Sequence, residues 1–71
     1  MGGPPMVDVR EMLCAQALAL VAHALAAMRP GDILEVRYNA TDVKHDLVVW
    51  AQDRGYPVTE PDGATLQLMR R

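Results

Sequence analysis

Apolar side chains along this chain switch between a period of two and a period near 3.6, and the switches delimit its elements. Residues 6–10, Met-Val-Asp-Val-Arg, alternate apolar and polar, which predicts a short half-buried strand with Val7 and Val9 on one face. Residues 15–28 are rich in alanine, the strongest helix former. Stepping by the helical angle collects Leu18, Val21, Ala22, Leu25 and Met28 on one stripe, with Leu20, His23 and Ala27 opposite. Arg29-Pro30-Gly31-Asp32 ends that helix, because proline cannot continue it and glycine relaxes the turn. Residues 33–38 read most clearly as a strand, with Leu34, Val36 and Tyr38 pointing one way and Ile33, Glu35 and Arg37 the other. A second helix is expected over 41–54, capped by Thr41 or Asp42 and stopped by Gly55. Val43, Leu47, Trp50 and Ala51 form its expected core stripe; His45, Asp46, Gln52 and Asp53 form the wet side, with Val49 stranded among them. Residues 57–60 and 65–70 flank Pro61-Asp62-Gly63, a strong turn signal, and predict a closing antiparallel hairpin.

The order βαβαββ implies an α+β fold: a two-layer α/β sandwich whose four-stranded mixed sheet carries two helices on one face. Asp8, Arg10, Glu35, Arg37 and Gln67 would lie on the opposite, solvated face. With 71 residues the chain makes one domain, expected over residues 7–71, behind a flexible Gly/Pro-rich N-terminus over 1–6. A domain this size buries only about 60% of the surface its unfolded chain exposes, which argues against a deep, enclosed substrate cavity.

Charge and composition narrow the function. Apolar residues are 51% and charged residues 23%, a globular composition. Nine acids against seven bases leave a net charge of −2, which disfavours direct nucleic-acid binding. The apolar segment over 15–28 is interrupted by Gln16 and His23 and is too short to span a bilayer. The opening residues lack the basic and apolar regions of a secretory signal, so a cytoplasmic location and no membrane association are expected.

The single cysteine, Cys14, is the candidate site residue. It falls where the first strand hands over to the first helix, where free amides and the positive end of the helix dipole converge. Such a position is expected to lower the thiol pKa from about 8.5 and to steady the terminal sulfur of a persulfide; a buried small hydrophobe is the plain alternative. With one cysteine, and with His23 and His45 far apart, no disulfide, metal or cofactor is expected. Trp50 reads as core and His23 as solvated. His45 beside Asp46 could tune a nearby thiol, and Leu20 and Val49 would form a partner patch if both bordered Cys14.

The residues around Cys14 resemble the TusA/SirA family of small sulfur-carrier proteins, whose first strand-to-helix junction carries Asp-x-Arg-Gly-Leu-x-Cys-Pro-x-Pro. Here that frame reads Asp8-Val9-Arg10-Glu11-Met12-Leu13-Cys14-Ala15-Gln16-Ala17. Pro30-Gly31, Leu34-Glu35-Val36, Asp46-Leu47-Val48-Val49-Trp50 and Gly55-Tyr56 follow the family's order without a gap, so the resemblance covers residues 7–71. Ala15 and Ala17 replace the two prolines, and Glu11 replaces the glycine and adds a charge that pushes a nearby thiol pKa up, offset in part by Arg10. Ala40 and Thr41 stand where the family has an aspartate and a proline.

The resemblance implies a relay rather than an independent enzyme. A cysteine desulfurase or rhodanese-like donor would load sulfane sulfur onto Cys14, and a downstream acceptor protein would take it, in tRNA thiolation, molybdenum-cofactor synthesis or sulfur oxidation. The alternative is a non-catalytic regulatory or protein-interaction module on the same fold. RNA binding on the open sheet through Arg10, Arg37 and aromatic stacking ranks last. A monomer or weak dimer is expected.

Overall fold

The computed structural model describes residues 5–71. Its elements run β1 (Met6–Asp8), α1 (Cys14–Ala26), β2 (Ile33–Arg37), α2 (Thr41–Asp53), β3 (Val58–Asp62) and β4 (Thr65–Met69). The four strands form one sheet in the order β1-β2-β4-β3. β1 pairs parallel with β2, while β4 pairs antiparallel with both β2 and β3. This is the mixed sheet of the expected α+β fold.

The core follows from alternation on the strands and from one stripe on each helix. Leu34 and Val36 of β2 and Leu66 and Leu68 of β4 are sealed beneath Ala17, Val21 and Leu25 of α1 and Val43, Leu47 and Ala51 of α2. Val9 is also buried, and its N–H donates to the Arg37 carbonyl at 2.8 Å, so pairing continues one residue past β1. Of the expected α1 stripe, Val21 and Leu25 are sealed and Leu18, Ala22 and Met28 are half-buried. Leu20, expected on the wet side, packs against the core. Of the expected N-terminus, residues 1–4 lie outside the described ones; the Pro5 carbonyl accepts the Glu35 N–H at 2.9 Å, and Met6 opens β1.

Four local expectations need correcting. Trp50 is half-buried rather than core, its ring 5.8 Å from that of Tyr56 with the Arg54 guanidinium above it. The hairpin turns at Gly63-Ala64, because Asp62 Oδ1 accepts the Ala64 N–H at 2.8 Å; Pro61, with no N–H to give, sits in edge strand β3 where the pairing register shifts. Neither Thr41 nor Asp42 caps α2: the capping position is Ala40, which offers no side-chain acceptor. Arg10 lies beyond β1 and folds back onto Asp8, Nη2 to Oδ2 at 2.6 Å, rather than lying on the open sheet.

Gly55 ends α2 as expected. Its φ is +81°, and the Gly55 and Tyr56 N–H groups donate back to Gln52 and Ala51, a left-handed termination that costs glycine little.

Candidate functional site

The parallel pairing of β1 with β2 sets the geometry of the site. Each strand is followed by a helix, so α1 and α2 begin beside one another at the same end of the sheet. Cys14 is the first residue of α1 and is half-buried. Before it, Leu13 occupies the capping position and is 72% exposed, placing an apolar side chain in solvent beside the thiol. Leucine cannot accept a hydrogen bond, so the first-turn amides receive no side-chain cap. Gln16 Oε1 accepts the Leu13 N–H at 3.1 Å and fixes the chain's entry angle.

The loop into α1 is held open by an unusual residue. Glu11 adopts φ +63°, the left-handed region, which costs a residue with a Cβ roughly 1–2 kcal/mol. Its position is where the resembled motif has glycine. Its N–H donates to Asn39 Oδ1 at 3.1 Å, so the connection entering α2 braces the connection entering α1. The missing prolines leave no gap in the helix: the Ala17 N–H already donates to the Leu13 carbonyl at 2.9 Å.

The electrostatics of the thiol reverse the expectation. Asp42 Oδ2 lies 4.0 Å from Cys14 Sγ, and Asp46 stands one helical turn further along α2. The Cys14 thiol pKa is raised, not lowered: first by the Asp46 carboxylate, which favours keeping the proton on sulfur, then by desolvation, then by the negative charges of Asp46 and Asp42. Both carboxylates favour the neutral S–H over a thiolate. The backbone N–H of Cys14 itself works the other way, and it is outweighed. Glu11 and Arg10, expected to set this balance, are not among the groups acting on the thiol.

The other candidates are not gathered here. His23 and His45 are exposed, and the thiol's neighbours are aspartates rather than His45. Val49 is 51% exposed, but Leu20 is drawn into the core more than a turn along α1 from Cys14. Sequence reasoning placed Asp42 as a cap and Asp46 on a wet face; only the βαβ topology brings both to the thiol. Among the described residues, no three His, Cys, Asp or Glu side chains converge as a metal site would need, and no helix is long and apolar enough to cross a membrane.

A second feature lies at the other end of the sheet. Ile33, Pro57, Thr59, Gln67 and Met69 line a shallow groove of about 200 Å³, below the roughly 300–1,000 Å³ of small-molecule pockets. It sits at the N-terminal end of β2, whereas Cys14 follows the C-terminal end of β1. It is not part of the thiol's surroundings.

A family model described as "Sulfurtransferase TusA" matches residues 6–70. Among curated proteins, none matches the chain. The structure is similar to the solution structure of the SMR domain of NEDD4-binding protein 2, with a TM-score of 0.81 and 14% sequence identity. That similarity covers 100% of this chain and 90% of the other, and at such low identity it speaks to the fold alone.

Proposed function

This chain belongs to the TusA sulfurtransferase family, and on that premise we propose that it carries sulfane sulfur as a persulfide on Cys14, between a donor protein and an acceptor protein. In loading, the Cys14 thiolate attacks the outer sulfur of a donor cysteine persulfide. The donor's S–S bond breaks, its cysteine leaves as a thiolate, and Cys14 holds the sulfur. In discharge, an acceptor thiolate attacks that outer sulfur and Cys14 leaves as a thiolate. No oxidant or reductant enters either step, and the proton chemistry can be supplied by the partners. Donors of the desulfurase or rhodanese type fit the first step, and a cytoplasmic setting fits a thiol kept reduced.

The observation that carries this reading is the placement of the chain's one cysteine at the first turn of α1, partly exposed, beside solvent-exposed Leu13. A persulfide there projects its terminal sulfur roughly 2.0 Å beyond Sγ, toward a visiting thiol. The test is intact-mass analysis after incubation with a sulfane donor and a desulfurase or rhodanese. The chain gains the mass of one sulfur atom and the Cys14→Ala variant gains none; an unmodified wild-type chain with every such donor overturns the reading.

One observation favours the second reading, a non-catalytic interaction module. Asp46 and Asp42 raise the thiol pKa, so Cys14 is less reactive than a free cysteine at neutral pH. A module of that kind keeps its partner when Cys14 becomes serine, whereas a carrier with Cys14→Ser still docks its donor but accepts no sulfur.

A further inference from the structure

We propose that Asp46 and Asp42 are positioning residues that act as a catch on sulfur exchange at Cys14, released when a partner brings a cationic side chain to them. The inference rests on the carrier reading and adds the regulation of that site. Its basis is geometric. The two aspartates stand one turn apart on α2, with Asp42 Oδ2 4.0 Å from Sγ and the Asp46 carboxylate also acting on the thiol. Among the described residues neither carboxylate is in an ion pair: Arg10 is committed to Asp8 and Lys44 to Glu60. α1 brings no acid to its first turn and its one basic residue, His23, lies in the last. The connection before α1 supplies Arg10, already engaged, and Glu11, a further acid. The mouth of the site is thus negative and partly exposed, and among the described residues no cation is paired with it.

The chemistry makes the pair act on both halves of the relay. Loading needs a Cys14 thiolate as attacker, and discharge needs it as leaving group. A raised thiol pKa slows both, since less thiolate is present and a more basic thiolate leaves more slowly. The raised pKa of Cys14 agrees with this. A loaded chain is thereby protected from discharge to stray small thiols, and a partner presenting lysine or arginine lifts the restraint during docking.

Alkylation of Cys14 by neutral iodoacetamide, followed against pH, reads the catch without any sulfur partner. Asp46→Asn moves the midpoint to lower pH, Asp42→Asn moves it less, and Asp46→Glu restores the wild-type profile. Loading from a small-molecule persulfide rises about threefold for each tenfold gain in thiolate, because the intrinsic nucleophilicity falls with a Brønsted slope of about 0.4–0.5. Loading by a protein donor slows with added salt in the wild type and loses that dependence when both aspartates are replaced by asparagine. Far-UV circular dichroism confirms that each variant is folded, and Asp42→Asn carries the test if Asp46→Asn is not. An unmoved midpoint in folded variants that still load sulfur overturns the catch and leaves the carrier reading standing. A shifted midpoint in a chain that no donor loads overturns the carrier reading, and the catch on exchange with it, leaving only the carboxylates' effect on the thiol.

Discussion

α1 starts behind β1 and α2 starts behind its parallel neighbour β2, so the two helix starts lie side by side, yet one presents Cys14 and the other presents Asp42, with Asp46 in its next turn. Neither start has a side-chain cap: Leu13 stands at one and Ala40 at the other. The backbones offer nearly the same field, the positive end of a helix dipole that favours an anion. What differs is the side chains, and they decide the outcome. Asp42 and Asp46 bring full charges to within reach of the thiol, against the partial charge of a helix terminus, and the thiol pKa goes up. The lesson is that a cysteine at a helix start is tuned by the neighbouring helix as much as by its own.

The strongest way to break this pairing is to loosen α2 on the sheet. Leu47 is fully buried between the two aspartate-bearing turns and the strands. Leu47→Ala is expected to lower the unfolding free energy by about 2–5 kcal/mol, measured by urea denaturation, and to bring the Cys14 alkylation midpoint down as the carboxylates lose their fixed position.

The element order, the core stripes and the position of Cys14 at a helix start were legible because each rests on local periodicity and on glycine and proline signals. The thiol's environment was not. Asp42 and Asp46 lie about thirty positions from Cys14 in the chain, and only the parallel β1–β2 pairing brings their helix beside it. The start of α2 departs from the sequence signal too: Thr41 and Asp42 both favour capping, but the chain enters the helix one residue earlier, at Ala40. Trp50 follows the helical stripe, yet it lies toward the end of α2, at the core's edge, where Tyr56 and Arg54 lie against the part of its ring that the core leaves open.

Smaller changes sharpen the contrast between the two starts. Glu11→Gly relieves the left-handed strain before α1 and leaves α2 unchanged. With glycine's own entropic cost subtracted, it is expected to stabilise the fold by about 1 kcal/mol in the same denaturation measurement. Leu13→Ser gives α1 a capping oxygen that α2 still lacks, worth about 1 kcal/mol. Since it also removes the exposed apolar group beside Cys14, it is expected to weaken donor docking in a titration calorimetry experiment.

A last effect, confined to alkaline pH, concerns the segment leading into α2. Tyr38 is buried, and burial, then its hydrogen bond to Glu60, raises its pKa from 10.0 to about 12. The folded chain therefore holds the phenol proton more tightly than the unfolded chain. That contribution is complete below about pH 10 and is lost as pH rises toward 12. Tyr38→Phe is expected to flatten this part of the stability–pH curve, read from thermal melts across that range.

The account stands or falls on sulfur moving through Cys14. Peptide mass mapping of the chain, first exposed to a sulfane donor and then mixed with an acceptor thiol protein, follows the atom directly. The extra sulfur is predicted on the peptide holding Cys14 after the first step, and on the acceptor after the second. A peptide holding Cys14 that stays unmodified throughout, or stays loaded when every acceptor is supplied, would contradict it.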